Sequence, residues 1–260
     1  MTAAYQLTGS IVLYKNDSVI VRNAIESFLN TCLQKKLFLI DNSPTDVFSS
    51  LAAEYPELEY RLMDRNVGFG AGHNQALQVC LEKTPYHLVL NPDISFEVGQ
   101  LEKLYAYMEQ YQDVGLVMPK IILPDGQMQY LCKLLPTPFD LFIRRFLPDL
   151  RFLQRSKEAF ELRFADYDTA MPIPYLSGCF MFLRTAVLQR IGLFDERFFL
   201  YLEDTDLTRR IYETARTMYY PEVHVIHRYG QDSYKKASVL IRHIISAIKY
   251  FSKWGWFIDP

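Results

Sequence analysis

The sequence predicts an α/β protein with a mainly parallel sheet flanked by helices. Two observations carry that prediction. Short apolar, β-rich runs recur through the first half of the chain, and amphipathic stretches of helical period separate them. Strands that alternate with helices in this way build βαβ units, whose crossovers are right-handed. Residues 10–14 form the first run. A helical pattern over 19–32 follows, with Ile20, Ala24, Ser27 and Phe28 along one face. Residues 37–40 make a second strand that ends at Asp41, and Asn42-Ser43-Pro44 turns the chain. Then come a strand at 58–63, a helix at 71–81, a strand at 86–90, a helix at 100–111 and a strand at 114–118.

Past Pro119 the pattern changes. Pro124-Asp125-Gly126 lies between two apolar segments and predicts a hairpin. Residues 136–160 interleave Arg144, Arg145, Arg151 and Arg155 with Phe142, Phe146 and Phe152. Two readings stand: an amphipathic patch for a membrane surface or lipid-linked partner, or a surface helix whose phenylalanines pack inward. A strand at 179–183, a helix at 185–190 and a charged helix after Phe198 complete the chain's regular pattern.

Composition narrows the function. A chain of 260 residues makes one large domain or two small ones. Half of it is hydrophobic and 22% is charged, which suits a packed core rather than disorder. Lys and Arg number 28 against 30 Asp and Glu, so the basic excess of a general nucleic-acid binder is missing. No apolar run approaches the roughly 18 residues of a membrane span. Residues 1–14 lack a basic region followed by an apolar stretch, so a cytoplasmic location is expected. Cys32, Cys80, Cys132 and Cys179 are scattered without a C-x-x-C pair. They read as reduced and mostly buried.

In an open parallel sheet, ligands bind beyond the carboxyl ends of the strands. Asp41 and Asp93 both fall there. Either can serve a base, a ribose or a cation, or simply cap a helix or turn. Residues 66–74, Asn-Val-Gly-Phe-Gly-Ala-Gly-His-Asn, form a glycine-rich loop that opens a helix. Its backbone N–H groups suit a diphosphate; the plainer reading is a turn that lets the helix pack close to the sheet. His73 stands where a dinucleotide fingerprint places its last glycine, and the loop follows the third strand, which disfavours a dehydrogenase. Asn91-Pro92-Asp93 makes a sharp turn in which proline fixes the backbone. A carboxylate presented there toward a diphosphate calls for a divalent cation between the two.

Residues 194–207 are the most informative. If their second half is helical, Leu200, Asp204, Leu207 and Ile211 share one face. A carboxylate inside an apolar stripe is desolvated, which suits it to general-base work. Asp206 lies near Arg209 and Arg210, and an exposed salt bridge accounts for it. Glu203 fits a cap, an ion pair or a sugar contact. In the strand pattern at 223–227, His224 and His227 fall on opposite faces. His227 then either completes a metal site begun by Asp93 or is structural. Oxygen and imidazole ligands with a diphosphate suit Mg²⁺ or Mn²⁺. Residues 235–256 carry Lys235, Lys236, Arg242, Lys249 and Lys253 among Ile, Phe and Trp. They make either an interfacial helix for the cytoplasmic membrane face or a terminal helix docked on the fold or on a second subunit.

Together, residues 66–74, Asn91-Pro92-Asp93, Gly178 through Arg184 and the block from Phe194-Asp195-Glu196 to Asp206-Leu207 resemble family 2 glycosyltransferases of the GT-A fold, inverting enzymes that use nucleotide sugars. The likeness runs from about residue 10 to 230. Within the family it is most similar to bacterial rhamnosyltransferases of surface-polysaccharide assembly, where N-P-D commonly replaces a metal-binding D-x-D. The resemblance implies a Rossmann-like domain over 1–230, with a nucleotide-sugar half at 1–118 and a smaller acceptor and catalytic half at 119–230, then a helical segment at 231–260.

It further implies that Tyr14 and Asp41 contact the base, and that Asn66, Gly68, Phe69, Gly72, Asn74 and Asn91 line the nucleotide and diphosphate. Asp93 and His227 would hold a divalent cation, Mg²⁺ or Mn²⁺. Asp204 would be the catalytic base, with Ser177, Gly178 and Glu203 toward the acceptor. Asn91 departs from the two-acid pattern, and Pro174-Tyr175-Leu176 stands where the family often has Trp. The implied reaction moves a sugar, first L-rhamnose from dTDP-rhamnose, to a hydroxyl of a glycan or lipid-linked glycan. A UDP-hexose or UDP-galactofuranose donor, a non-catalytic nucleotide-sugar binding protein and a sugar-nucleotide pyrophosphorylase are the rivals. No nucleic-acid partner is implied; peripheral membrane contact and a homodimer stay open.

Overall fold

The computed structural model describes residues 3–143, 151–228 and 237–256. Arg144, Arg145 and Phe146, the side chains of Phe142, Arg151 and Phe152, the boundary near Gly230, and Lys235 and Lys236 lie outside the described residues. Four parallel strands, β1 (Leu7–Leu13), β2 (Lys35–Asp41), β3 (Leu58–Leu62) and β4 (Tyr86–Leu90), lie side by side in the order β3-β2-β1-β4. Helix α1 (Ser18–Leu29), the short α2 (Ser49–Ala52) and α3 (Phe69–Cys80) connect them. After the two-residue β5 (Ile94–Ser95), α4 (Gln100–Gln110) leads into β6 (Val114–Ile122). The sheet then departs from pure parallel order: β10 (Phe180–Arg184) runs antiparallel between β4 and β6. β11 (Arg216–His227) returns parallel to β6 and pairs with β5 and with β8 (Met171–Pro172) at the edge. A second small sheet joins β7 (Cys132–Lys133) to β9 (Tyr175–Leu176). The expected α/β architecture is therefore present.

Burial explains the layering. Every residue of β4 is buried, as is β10 up to Arg184, as befits strands covered on both faces. α1 starts because Asp17 caps it, its Oδ1 accepting from the Val19 and Ile20 N–H groups at 2.9 and 3.2 Å. Its buried residues Val21, Ala24, Ile25 and Phe28 recur at helical spacing. A side chain at Gly9 would strike the Phe28 ring, so the glycine lets that ring lie flat against β1. Beneath α3, Ser10 Oγ sits 2.7 Å from His73 Nδ1 and 2.8 Å from His87 Nε2, and Thr8 Oγ1 is 2.8 Å from His87 Nδ1. Burial drives both imidazoles down, His87 to about 3, so this enclosed chain of polar groups carries no charge at neutral pH.

Several boundaries differ from the sequence pattern for identifiable reasons. β6 continues through Pro119 to Ile122, and β11 spans Pro221 by a register shift between Tyr220 and His224. Prolines inside a strand hide it from a pattern reading, and a bulge absorbs the missing donor. The hairpin forms as expected, with Leu123 N–H donating to Gln127 O at 2.8 Å and Gly126 N–H to Leu123 O at 2.9 Å. Cys80, Cys132 and Cys179 are buried, Cys32 is exposed, and all four are free thiols.

The remaining helices are α5 (Arg151–Phe160), α6 (Thr185–Ile191), α7 (Glu203–Tyr212) and α8 (Ala237–Trp254). Of the readings open for the C-terminal segment, docking on the fold is what one face of α8 does. Ala247, Tyr250 and Phe251 close over Phe198 and Leu202, and Ser246 Oγ donates to Leu200 O at 2.9 Å. Among the described residues no helix is long and apolar enough to cross a membrane.

Candidate active site

The carboxyl ends of β1, β2, β4 and β11 share one edge of the sheet with the start of the reversed β10. Asn91 N–H donates to Cys179 O at 2.9 Å, clamping the Asn91-Pro92-Asp93 turn to the entry of β10. The β5–β11 register sets Ile94 opposite His227, and Arg228 N–H donates to Asp93 O at 2.8 Å. That register carries His227 Nε2 to 3.3 Å from Asp93 Oδ1, while Nδ1 lies 2.7 Å from Gln129 Oε1. His224 is exposed on the other face, as the two-residue period requires. With Nδ1 donating to Gln129, a neutral ring turns a lone pair toward the Asp93 carboxylate, and a proton or a cation must reconcile the two. Neighbouring ligands of one octahedral ion with bonds of about 2.1 Å stand about 3 Å apart, so the pair fits two positions around Mg²⁺ or Mn²⁺. Among the described residues no third His, Cys, Asp or Glu joins them. An ion there takes its other ligands from water or a bound anion.

Asp204 occupies the first turn of α7. Its Oδ2 accepts from Gly178 N–H at 2.8 Å and from the Tyr175 hydroxyl at 3.2 Å; its Oδ1 accepts from Thr205 N–H at 2.7 Å. Only glycine fits at 178, because a Cβ there would lie 2.9 Å from Asp204 Cβ and 3.3 Å from the Phe69 ring. The half-buried carboxylate lines a cleft of about 1460 Å³ together with Phe69, Asn91, Ser177, Gly178, Glu203 and His227. Burial pushes the Cys179 thiol up to about 12, and the Asp93 and Asp204 carboxylates both add to that rise.

Three expectations for this segment are corrected. Leu200 is not on the helix, which begins at Glu203, because Tyr201 and Leu202 adopt left-handed φ values of 70° and 67°. Such residues cost about 1–3 kcal/mol each and persist only where the surroundings hold them. Here α8 does so, burying Leu202 and anchoring the Leu200 carbonyl. Asp204 consequently faces the cleft rather than an apolar stripe. The deeply buried acids are its neighbours. Glu203 is 4% exposed with one carboxyl oxygen lacking a hydrogen-bond partner, and burial, then the Asp204 charge, holds its carboxyl well above the usual range. Asp206 is fully buried and makes no exposed salt bridge. It takes Arg210 Nε at 2.9 Å, Lys253 Nζ at 2.6 Å and the Trp254 indole N–H at 2.8 Å.

The glycine-rich loop is more enclosed than its composition suggests. Gly68 has φ +94°, and a side chain there would run into the Phe199 carbonyl. Phe69 N–H donates to that same carbonyl at 3.1 Å and Gly68 N–H to Asn66 Oδ1 at 2.9 Å, so these two donors serve the loop itself rather than an incoming anion. A Cβ on Gly72 would meet Val12 at 2.8 Å, which is the close-packing role. Asn74 is buried: its amide donates to Phe194 O and Glu196 Oε1, both at 2.9 Å, and accepts from Phe194 N–H at 3.1 Å. Gly72 and Asn74 therefore stand behind the cleft, not in its lining. Asp41 is likewise fully buried, accepting from Ser43 N–H at 2.8 Å and the Tyr60 hydroxyl at 3.0 Å. Tyr14 is half exposed at the end of β1, Asn66 is half-buried, and Phe69 and Asn91 reach the cleft.

Sequence reasoning missed three cleft residues. Tyr175, which orients Asp204, lies in β9 opposite Lys133, whose ammonium is 5.5 Å from its ring centre. Its place two residues before Ser177 is the one signal that marked it. Gln129 meets His227 only through the hairpin fold-back, and His243 borders the cleft only because α8 docks. No local pattern announces either.

Comparison with known proteins agrees with this fold. Residues 10–192 match the family model for glycosyl transferase family 2. N-acetylglucosaminyl-diphospho-decaprenol L-rhamnosyltransferase of Mycobacterium tuberculosis is 25% identical over 239 residues, covering 86% of this chain and 77% of that protein. Rhamnosyltransferase WbbL of Escherichia coli K12 is 24% identical over 254 residues, 90% and 92% of the two chains. Among solved structures, GalNAc-T7 with UDP, GalNAc and Mn²⁺ superposes with a TM-score of 0.66 at 13% identity. Mannosyltransferase PcManGT of Pyrobaculum calidifontis, in complex with GDP-Man and Mn²⁺, gives 0.63 at 15%. Those likenesses are of fold: they cover 87% and 95% of this chain, but 43% and 65% of the solved ones.

Proposed function

The chain belongs to glycosyl transferase family 2 and has the fold of the GT-A glycosyltransferases, and from that premise we propose an inverting transfer in which Asp204 is the general base. The observation that carries this reading is the anchoring of the Asp204 carboxylate on Gly178 N–H, in the cleft that His227, the partner of Asp93, also lines. Asp204 accepts the proton of an acceptor hydroxyl while that oxygen attacks the anomeric carbon. The bond to the nucleoside diphosphate breaks on the opposite face and its electron pair leaves with the diphosphate. Tyr175 and Gly178 hold the carboxylate in place for that transfer. A divalent cation on Asp93 and His227, when bound, neutralises charge growing on the departing diphosphate.

Residues 1–118 would bind the donor, with Tyr14 beside the base and Asn66, Phe69, Asn91 and Asp93 toward the sugar diphosphate. Asp41 and Gly68 shape that surface, while Gly72 and Asn74 hold it against the sheet. Residues 119–230 would receive the acceptor along Ser177, Gly178 and Glu203. The names of the relatives in Mycobacterium tuberculosis and Escherichia coli support rhamnose as the transferred sugar, and our reading takes dTDP-rhamnose as its carrier. The mycobacterial name also supports a lipid-linked sugar acceptor.

The test is mass-spectrometric detection of nucleoside diphosphate release across a panel of sugar nucleotides with a lipid-linked acceptor, with and without chelator. dTDP release from dTDP-rhamnose should exceed the others, and chelator or Asp93→Ala should suppress it. Release from no donor would refute the enzymatic reading, and release indifferent to both chelator and Asp93→Ala would refute the cation.

A further inference from the structure

One face of α8 covers the loop before Glu203 and Asp204; its opposite face covers nothing among the described residues. Ile241, Ile245 and Ile248, spaced i, i+4 and i+7, are 57%, 46% and 46% exposed and form a continuous apolar stripe on the outer side. A helix that needed only to dock would carry polar residues there. Arg242, its guanidinium over the Phe199 ring, and Lys249, whose ammonium donates to the Arg197 carbonyl, both keep an exposed side along one flank of the stripe, and residues 237–256 contain no Asp or Glu. In sequence, Lys235 and Lys236 immediately precede the helix.

We propose that this outer face of α8 is a membrane-docking surface for anionic phospholipid, with the isoleucines entering the interface and the basic flank meeting the headgroups. The proposal rests on the lipid-linked acceptor reading above only for its purpose, not for its geometry. An apolar stripe beside cations, with no acid on the helix, is the composition of an interfacial helix lying in the bilayer plane. Self-association is the other use of such a stripe. It would align Arg242 and Lys249 of two copies along one seam with no acid to neutralise them, which disfavours it. The surface is also well placed. His243, on the inward side of the same helix, borders the cleft, so a bilayer against the isoleucines lies about one helix diameter, roughly 10 Å, from the cleft wall. A lipid-linked acceptor held in that bilayer need extend only its glycan to reach Asp204.

Co-sedimentation of the full chain with vesicles tests this without donor or acceptor. The native protein should pellet with phosphatidylglycerol–phosphatidylethanolamine vesicles at low salt and remain free of pure phosphatidylcholine. The triple substitution Ile241→Ser, Ile245→Ser, Ile248→Ser should weaken binding at least tenfold, with an unchanged circular-dichroism spectrum. Should that variant misfold, the single Ile245→Asn should weaken binding several-fold. Nucleoside diphosphate release with a detergent-dispersed acceptor should be unaffected, so loss of docking and loss of transferase activity read out separately. Absence of binding to the anionic vesicles, or equal binding by the triple variant, would overturn the proposal. So would a native dimer in light scattering that the triple substitution dissolves, which would assign the stripe to a second copy of the chain.

Discussion

Asn74 and Asp204 each stand in the opening turns of a helix, α3 in one case and α7 in the other, and the fold uses them in opposite ways. Around α3 most polar groups are closed on one another: Asn74 holds the Phe194 backbone, Asp41 holds Ser43 and Tyr60, and His73 and His87 share Ser10, with His73 Nε2 left over. Around α7 they are left open toward a cleft. Asp204 is half-buried beside Glu203, whose carboxyl oxygen has no partner, and the loop before them is strained. A closed region keeps a shape; an open one keeps capacity for a ligand. Buried polar groups without partners are costly, and two carboxyl groups, Asp93 and Glu203, each with an oxygen lacking one, mark the cleft edge as a place to bind.

The widest separation between the two kinds of acid should appear on α7 itself. Asp204→Asn keeps shape and removes the base, so turnover should fall about 10²- to 10⁴-fold, the usual worth of general-base catalysis. Thermal stability should fall by about 1–3 kcal/mol, since the amide NH₂ must face either the Gly178 or the Thr205 N–H, too little to unfold the enzyme or to account for the lost turnover. Turnover within threefold of the native enzyme would sink Asp204 as the base. Asp206, two residues on, faces the other way. Asp206→Ala strips Arg210 of its acid, leaves the Trp254 indole N–H unpaired and leaves Lys253 with Asp195 alone, at a cost of about 1–3 kcal/mol in urea denaturation. The folded fraction should retain its turnover per molecule. A cost under about 0.5 kcal/mol would mean that Asp195 and the carbonyls Arg210 already holds absorb both cations.

Much of this arrangement was legible before any coordinates, and what was hidden was hidden for physical reasons. The βαβ half could be read because each strand and helix carries its own periodicity and its own turn. Asp93, Gly178, Asp204 and His227 were named from motifs whose spacing survives in the fold. Asp206 was misjudged because an i, i+4 arginine explains an acid locally, whereas its burial comes from Lys253 and Trp254, nearly fifty residues away. Leu200 was placed on α7 because helical spacing cannot reveal two consecutive left-handed residues at Tyr201 and Leu202, which tertiary contacts impose. The enclosed state of Asp41 and Asn74 has the same origin: composition shows a polar residue near a strand end but not which backbone will reach it.

Asn74 offers the next discrimination. Asn74→Ala removes three hydrogen bonds to the 194–196 segment and leaves the Phe194 N–H and C=O without their partner. A stability loss of about 1–3 kcal/mol follows. If the residue is scaffold, KM for the donor stays constant in the folded enzyme. A severalfold rise in donor KM without loss of stability would instead return Asn74 to direct substrate contact.

The finest test concerns Glu203, the acid that belongs to both regions, being buried like a scaffold residue and set in the cleft like a functional one. Burial and the adjacent Asp204 charge raise its folded-state pKa above the unfolded value. Below the unfolded pKa both states hold the proton, and the group contributes no pH dependence. As pH rises past that point the unfolded chain releases a proton that the native state retains, so stability declines until the folded pKa is passed. Glu203→Gln keeps the shape and cannot ionise. It should therefore melt higher than the native protein at pH 8, with an advantage that shrinks as pH is lowered and vanishes near pH 4. A difference independent of pH would mean that Glu203 titrates alike in both states and is not held neutral, and a disadvantage that grows with pH would mean that its carboxylate finds a cation in the cleft. Activity divides the same variant differently: if Glu203 donates a hydrogen bond to an acceptor hydroxyl, the amide N–H can replace it, and turnover should fall far less than in Asp204→Asn.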